Sequence, residues 1–256
     1  VQTCALPISP TGLIGACVRR KEDGPLLRGR GTYVDNMQPL GVAHMVVVRS
    51  PYPNAEIVSI DVRAAREAEG VIAVFTGADL MDDWKTPLPD IWPVTEDMLE
   101  PPHYPLAVGA ARYVGDGVAV VVAESRALAN DAAELVEIDW NPLPSVGLLM
   151  DALEPGAPLV HPELGTNRCY VWNLETDGVD EAIAGADIVV THRYVQPRII
   201  PSAMEPRSVV SAWDFTGNLT MWSSTQIPHL LRVYVAEMLG LHETQVRVVA
   251  PDVGGG

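Results

Sequence analysis

A glutamine and a run of three glycines near the end of the sequence could do chemistry. Gln226 lies between a predicted strand and a predicted helix, and Gly254, Gly255 and Gly256 follow the next predicted strand. A glutamine amide offers N–H donors and a carbonyl acceptor, which suits a metal-oxo group or a carbonyl substrate. Glycine backbone N–H groups can approach an anionic cofactor closely. Together these features indicate a ligand site at the ends of neighbouring strands, where open α/β sheets bind ligands.

Each of these residues also has a simpler interpretation. A lone glutamine such as Gln226 commonly makes loop hydrogen bonds only, and a glycine run is weak evidence of phosphate binding. Nearby, Glu205 and Arg207 in the sequence MEPR fit a local ion pair better than an acid–base couple. The sequence contains no GxSxG, HExxH, Walker A or GxGxxG motif. The order of the pieces is therefore more informative than any single one.

Charge and cysteine content exclude several classes of protein. With 17 basic and 33 acidic residues the formal charge is −16, which argues against a nucleic-acid or anionic-membrane binder. No apolar run approaches the ~18 residues that a membrane span needs. Cys4, Cys17 and Cys169 form no CxxC pair, and the histidines show no HxH or HxxxH spacing, so no metal site is predicted. Sparse, odd cysteines without a signal peptide predict a cytoplasmic protein.

The hydrophobic pattern predicts a fold of the α/β (α+β) class with two domains, the second incomplete. In the first domain, an unbroken apolar run predicts a buried strand over 117–124, and Ser125 is placed to cap a helix that runs to about Leu135. Six prolines between Pro87 and Pro105 predict a long irregular loop. The predicted borders are an adapter scar and leader over 1–24, a first domain over 25–146, a linker over 147–170 and a second domain over 171–256.

The second domain has a predicted element order that brings the glutamine and the glycines to strand ends. Its predicted elements are a helix over 178–186, a strand over 187–196, a hairpin of strands 206–213 and 219–223, a helix over 228–239 and a strand over 245–250. Pro228 suits the first position of that helix, and Gly240 suits its C-terminal stop.

Both ends of the sequence predict a fragment. Residues 1–9 resemble the translation of a sequencing adapter, and they lack the basic segment and apolar core of a signal peptide. If they are an adapter scar, Cys4 does not belong to the protein. At the other end a predicted strand runs directly into glycines, which more often begin a tight turn against a ligand than end a domain.

Six long segments resemble one enzyme family in the same order. They are RRKEDGPLLRGRGTYVDN (19–36), VRSPYPNAEIVSIDVRAA (48–65), GVIAVFTGADL (70–80), the segment 112–146, AMEPRSVV (203–210) and the segment 223–256. On these motifs the chain resembles the N-terminal part of the molybdenum-binding large subunit of the xanthine dehydrogenase/aldehyde oxidase family. It is most similar to the carbon monoxide dehydrogenase large-subunit branch.

The resemblance implies a fold, a cofactor and a reaction. The fold is an α/β hammerhead domain followed by the truncated start of a molybdopterin-binding domain. The cofactor is molybdopterin, as its cytosine dinucleotide with molybdenum. The reaction is water-dependent oxidative hydroxylation of an aldehyde, an N-heterocycle or purine, or carbon monoxide. Gln226 matches the glutamine that hydrogen-bonds a molybdenum oxo ligand, and Gly254, Gly255 and Gly256 match the glycine turn against the cofactor.

The resemblance also implies partners. FAD and [2Fe-2S] clusters belong to a flavin-binding medium subunit and an iron–sulfur small subunit, in a dimer of heterotrimers that acts on a small molecule. Family members continue the glycine turn with Phe-Gly and carry their general base later, so this chain alone is expected to be inactive. Gly115-Asp116-Gly117 replaces the usual Gly-Glu-Pro, a change expected to affect loop rigidity only.

Two other classes of function stay open on the sequence. One is a non-catalytic hammerhead assembly module or decayed paralogue, which would not need Thr225-Gln226 or the glycine turn. The other is a generic nucleotide binder, for which the glycines are the only phosphate-binding signal.

Overall fold

Short strands in three sheets, with helices between them, form the part of the chain that the computed structural model describes, residues 16–89, 93–197 and 199–255. The strands are β1 (His44–Arg49), β2 (Ala55–Asp61), β3 (Val71–Thr76), β4 (Ala110–Ala111), β5 (Gly117–Ala123), β6 (Glu137–Pro142), β7 (Val209–Trp213), β8 (Leu219–Ser223) and β9 (Val246–Val249). The α-helices are α1 (Asp23–Leu26), α2 (Arg63–Glu67), α3 (Gly77–Leu80), α4 (Arg126–Ala133), α5 (Val179–Ala184) and α6 (Pro228–Leu239). None of the helices in these ranges is long and apolar enough to cross a membrane.

Strand β5 is the centre of the first sheet, whose order is β1-β5-β3 with antiparallel pairing on both sides. Its two faces are covered by different layers. Val121 packs with Val74 and with Ala132 of α4, whereas Val118 packs towards the second sheet. Because neither face of β5 meets water, its sequence is apolar at every position instead of alternating, as the pattern predicted.

The second sheet, ordered β4-β2-β6, closes the other side of this core. Ile57 of β2 and Ile138 and Trp140 of β6 pack on the buried Ala111 and Val118. The two antiparallel sheets and helices α2 and α4 therefore form one layered unit around β5, as expected for the α+β class.

Helix α4 begins where the sequence predicted. The side-chain oxygen of Ser125 accepts a hydrogen bond from the N–H of Leu128 at 3.3 Å, which satisfies one of the free donors of the first turn. The helix ends at Ala133, earlier than the predicted Leu135, and the side chain of Leu135 is exposed. Its buried face consists of the small residues Ala129 and Ala132, so the helix packs close to the sheet.

Asp116, which was expected to affect only the rigidity of its own loop, also contacts a second loop. Its side chain is buried, and Oδ2 accepts the N–H of Arg112 at 3.0 Å. Its Oδ1 lies 3.6 Å from Nε2 of His103 in the proline-rich loop. Burial, followed by the negative charge of Asp116, raises the pKa of Tyr113. The carboxylate therefore joins its own turn to the long loop.

The third sheet belongs to the second unit and has the order β7-β8-β9. Strands β7 and β8 are an antiparallel hairpin, and β9 lies parallel to β8 after the crossover through α6. The core of this unit consists of Leu219, Val235, Ala236 and Val246, which join the sheet to α6. The helix has the predicted bounds, whereas β7 begins three residues later than predicted and β9 is one residue shorter at each end. Gly240 caps the end of α6 with a left-handed φ of 66°.

The predicted strand over 187–196 is wrong for this structure. The segment is irregular, and its apolar side chains are exposed, with Ile188 at 82%, Val190 at 85% and Tyr194 at 86%. A strand needs a hydrogen-bonded neighbour, and no strand of the described residues pairs with this segment. The sequence of this segment has high β propensity, but propensity alone does not form a strand without a neighbouring strand.

The turn of the β7–β8 hairpin makes acid stability depend on one carboxylate. Asp214 accepts the N–H groups of Thr216 at 2.8 Å and of Asn218 at 2.9 Å. The hydrogen bond from the backbone of Asn218, followed by that from the side chain of Thr216, lowers the pKa of Asp214 from its usual 3.8 to about 2. A lowered pKa in the folded state stabilises the protein above the pKa of the unfolded state.

We therefore expect this stabilisation to disappear as the pH falls from about 4 to about 2. The measurement is the thermal midpoint against pH for the parent protein and for Asp214→Asn. The parent midpoint should fall more steeply across that window than that of the variant. Asp177→Asn, which removes an exposed carboxylate, is the control and should follow the parent. Equal slopes for the parent and Asp214→Asn would contradict the prediction.

Candidate functional site

The ends of β8 and β9 and the beginning of β7 lie at one edge of the third sheet. The parallel pair aligns Trp222 of β8 with Val249 of β9, so both strands end at this edge. The antiparallel pair aligns Val209, the first residue of β7, with Ser223, the last residue of β8. Segments that follow β8 and β9, and the segment that precedes β7, therefore emerge together. Gln226, the glycines and the MEPR sequence are on these three segments.

Hydrogen bonds around Gln226 hold its backbone in place. Ser224 links the end of β8 to the residue before β7, because its Oγ accepts the N–H of Ser208 at 3.0 Å. Thr225 Oγ1 accepts the N–H of Ile227 at 3.1 Å, which tightens the turn into α6. These hydrogen bonds of Ser224 and Thr225 fix the backbone on both sides of Gln226.

The side chain of Gln226 is exposed and available. In the described ranges its amide forms no hydrogen bond with another residue. Pro228 occupies the first turn of α6, where its missing N–H costs nothing and its fixed φ suits the helix. The donor and acceptor of the Gln226 amide are thus free at the sheet edge that the sequence predicted.

The glycine turn packs its backbone against another chain segment. An added Cβ on Gly254 would lie 2.5 Å from Cβ of Glu205, and one on Gly255 would lie 2.8 Å from Cβ of Ala203. Gly255 also has a φ of 131°, a conformation that residues with side chains rarely adopt. Glycine is therefore required at both positions by packing. The predicted Gly256 is outside the described residues.

Glu205 lies next to this turn. The predicted ion pair between Glu205 and Arg207 is not formed. Oε2 of Glu205 accepts the N–H of Gly254 at 2.7 Å, and Oε1 accepts the N–H of Val34 at 3.4 Å. Among the described residues, Arg207 forms no ion pair with any carboxylate. The Glu205 carboxylate instead accepts hydrogen bonds from two backbone N–H groups that are far away in the sequence. The spacing of residues around Glu205 could not predict these partners.

A second pair of contacts joins the first unit to the segment before the glycines. The N–H of Thr32 donates to Oδ2 of Asp252 at 2.7 Å, and the N–H of Asp252 donates to the carbonyl oxygen of Thr32 at 3.0 Å. Sequence reasoning did not identify Thr32, Val34 or Asp252. Thr32 and Val34 take part through their backbone N–H groups, which any residue except proline could supply, so their side chains give no indication of these contacts.

Metal-binding side chains do not cluster at this edge. In the ranges that the structure describes, no three His, Cys, Asp or Glu residues are arranged to hold a metal ion. What the edge offers is a free amide and a turn of bare backbone. These groups can donate and accept hydrogen bonds with a bound polar molecule.

Two family models match the chain in the same order as its two units. Residues 28–144 match the aldehyde oxidase and xanthine dehydrogenase a/b hammerhead domain. Residues 160–256 match the molybdopterin cofactor-binding domain. The second match includes Gln226 and the whole glycine run.

Curated relatives align over nearly the whole chain. The carbon monoxide dehydrogenase large chain of Afipia carboxidovorans is 33% identical over 95% of this chain and 31% of its own length. The nicotine 6-hydroxylase large subunit of Paenarthrobacter nicotinovorans is 36% identical over 95% of this chain and 30% of its own length. The chain thus spans about a third of the length of these relatives.

Solved structures show the same likeness. Quinoline 2-oxidoreductase from Pseudomonas putida 86 superimposes with a TM-score of 0.85 at 35% identity, covering 93% of this chain and 30% of that one. A Cu,Mo-containing carbon monoxide dehydrogenase gives 0.79 at 32% identity, covering 93% of this chain and 31% of that one. The fold and the two matched models therefore define a hammerhead domain followed by part of a molybdopterin cofactor-binding domain. The chain belongs to the aldehyde oxidase and xanthine dehydrogenase family, in which its first unit is the hammerhead domain.

Proposed function

We propose that this chain is part of the catalytic subunit of a molybdenum hydroxylase. The complete enzyme would oxidise a small molecule with oxygen taken from water, its substrate being an aldehyde, an N-heterocycle or purine, or carbon monoxide. One observation carries the proposal. A free glutamine amide and a glycine turn follow two neighbouring strands at one sheet edge, inside the segment that matches the molybdopterin cofactor-binding domain.

The glycine turn fits a molybdopterin cofactor because it carries no side chains that would separate its backbone from a ligand. An added Cβ at Gly254 or Gly255 would clash with Glu205 or Ala203, so the turn is packed against that segment, while Gly255 itself is exposed. Because the N–H of Gly254 is already donated to Glu205, the N–H of Gly255 is the donor of this turn that can approach the phosphate of an anionic cofactor. We include Gly256 in the same contact. The preferred form of the cofactor is the cytosine dinucleotide.

Gln226 would be the residue of this chain nearest the chemistry. When bound, the cofactor supplies the molybdenum redox centre at which the substrate is oxidised. The Gln226 amide can donate N–H to an oxygen ligand of that centre or orient a substrate carbonyl. Its anchors at Ser224 and Thr225 fix the backbone, so that the amide needs little reorganisation to bind.

The proposed enzyme is a complex. We assign the flavin to a medium subunit and [2Fe-2S] clusters to a small subunit, with a dimer of heterotrimers in the cytoplasm as the assembly. The domain borders we assign are 25–146 for the hammerhead domain and 171–256 for the start of the cofactor-binding domain, joined by a linker over 147–170. Relatives that act on carbon monoxide and on nicotine support a small-molecule substrate.

The proposal is tested by the composition and activity of the native complex that contains this chain. We expect molybdenum, pterin and cytidine nucleotide in equal amounts with the chain, and product oxygen that derives from labelled water. A complex that is fully assembled but contains neither molybdenum nor pterin would contradict the proposal and favour a non-catalytic assembly module.

The 256-residue chain by itself is expected to show no turnover. It matches 31% and 30% of the length of the carbon monoxide dehydrogenase and nicotine 6-hydroxylase large subunits, and catalysis needs the base, the cofactor and the substrate in one constellation. The measurement is oxidation of aldehydes, purines, quinolines and carbon monoxide with an artificial electron acceptor. The native complex is the positive control. Turnover by the purified chain that is lost on heat denaturation would contradict this prediction.

A further inference from the structure

Glu205 contacts both units of the chain through one carboxylate. Oε2 accepts the N–H of Gly254 at 2.7 Å, and Oε1 accepts the N–H of Val34 at 3.4 Å. The N–H of Glu205 also donates to the carbonyl oxygen of Gly254 at 3.4 Å. Glu205 and Gly254 are therefore joined by a side-chain and a backbone hydrogen bond, and the hammerhead unit is attached to the same carboxylate.

The chain around Glu205 follows a constrained path to reach the turn. Ser202 has a φ of 49°, the one positive value among the described residues other than glycine. Directly after it, Ala203 and Glu205 lie so close to the glycine turn that no Cβ fits at Gly254 or Gly255. Unusual backbone of this kind persists only where surrounding contacts enforce it.

The hammerhead unit supplies the second side of the same arrangement. Thr32 and Asp252 exchange two hydrogen bonds, at 2.7 Å and 3.0 Å, just before the glycines. Two residues later, the buried Val34 donates its N–H to Glu205. Residues 32–34 thus contact both Asp252, two residues before the glycine turn, and the carboxylate of Glu205, which accepts the N–H of Gly254.

Glycine runs need such external support because they have more backbone freedom than any other sequence. A free turn would lose that freedom on binding a cofactor, which weakens the complex. Hydrogen bonds to an ionised carboxylate are about twice as strong as neutral ones. One such bond at Gly254 can therefore fix the turn before the cofactor arrives.

We propose that Glu205 is a positioning residue, whose carboxylate holds the glycine turn in its binding shape and couples it to the hammerhead unit. This rests on the proposed function, because it assumes that the turn contacts the cofactor. Both oxygens of Glu205 are already occupied by the N–H groups of Gly254 and Val34. It is therefore neither an acid–base group nor a cofactor ligand.

The test compares Glu205→Gln with the parent in the native complex. Glutamine keeps the size of the side chain but places an amide group against one of the two backbone N–H donors. We expect the molybdenum cofactor to leave the assembled complex about tenfold faster, as is typical when a residue supporting a metal site is changed. Cofactor release is followed by pterin fluorescence and metal analysis. In the molecules that stay loaded, the paramagnetic resonance of molybdenum should also shift.

Glu243→Gln is the matched control, because it removes an exposed carboxylate that pairs with Arg232 in the same unit. It should release cofactor at the parental rate. If Glu205→Gln prevents assembly, Asp252→Asn provides the second variant, since it weakens the neighbouring contact with Thr32 without changing the turn.

The outcomes separate the two proposals. A parent complex without cofactor would overturn the proposed function. A loaded parent, together with Glu205→Gln or Asp252→Asn complexes that release cofactor at the parental rate with an unchanged resonance, would overturn the positioning role alone. Lowered thermal stability with parental release and resonance would assign Glu205 a structural role only and would equally overturn the proposal.

Discussion

Replacing Gly254 by alanine is expected to remove most of the cofactor from the native complex. The new Cβ would lie 2.5 Å from Cβ of Glu205, so the glycine turn or the segment of Glu205 must move. Overpacking of this kind costs about 1–3 kcal/mol. At the upper end, the affinity for the cofactor would fall by a factor of about 100. The measurement is the pterin and molybdenum content per chain in the purified complex.

Gly147→Ala is the control for this experiment. No atom outside its chain neighbours lies within 4 Å of an added Cβ at Gly147. The control therefore makes the same chemical change without a clash, and its complex should be as fully loaded as the parent. A Gly254→Ala complex with parental cofactor content would show that the turn does not contact the cofactor or can shift without loss.

Replacing Gln226 by alanine is expected to lower kcat/KM by about 100- to 1,000-fold, the usual effect of removing one preorganised donor from a reacting oxygen. The cofactor content should stay close to that of the parent, because the glycine turn is unchanged. Gln226→Glu keeps the shape but replaces the N–H donors by carboxylate oxygens, so it should be similarly impaired. The measurement is steady-state kinetics normalised to molybdenum.

The control for this change is Gln38→Ala. It removes a glutamine that donates one exposed hydrogen bond to the carbonyl oxygen of Asp35 in the first unit. Its kcat/KM should equal that of the parent. A Gln226→Ala enzyme with parental kcat/KM would return Gln226 to the simpler interpretation, a polar residue in a loop.

Much of the fold could be predicted because local pattern and tertiary environment agree. The apolar run of β5 is the central strand of its sheet, and Pro228 and Gly240 limit α6 as their backbone preferences predict. The edge of the third sheet follows from element order, because a strand, a helix and a parallel strand bring Gln226 and Gly254 to the same side.

The remaining features depend on contacts between distant residues. The segment 187–196 has the composition of a strand, but pairing partners are not encoded in the segment itself. Glu205 lies two residues from Arg207, which suggested an ion pair, yet its partners Val34 and Gly254 are far away in sequence. Backbone N–H donors are present at almost every residue, so residue type gives no signal for them.

The hammerhead unit supports the edge of the third sheet at which we propose that the cofactor binds. Thr32 and Val34 reach that edge through backbone hydrogen bonds to Asp252 and Glu205. Both residues lie inside the segment 28–144 that matches the hammerhead domain, so this domain contacts the glycine turn's neighbours directly. It supplies part of the frame on which the glycine turn rests.

The most direct test is an experimental structure of the native complex purified with its partners. The account predicts molybdopterin at the edge formed by the ends of β8 and β9, with its metal centre within hydrogen-bonding distance of the Gln226 amide and its anionic part against Gly254 and Gly255. A cofactor bound elsewhere, with Gln226 and the glycine turn facing solvent or another protein segment, would contradict the account.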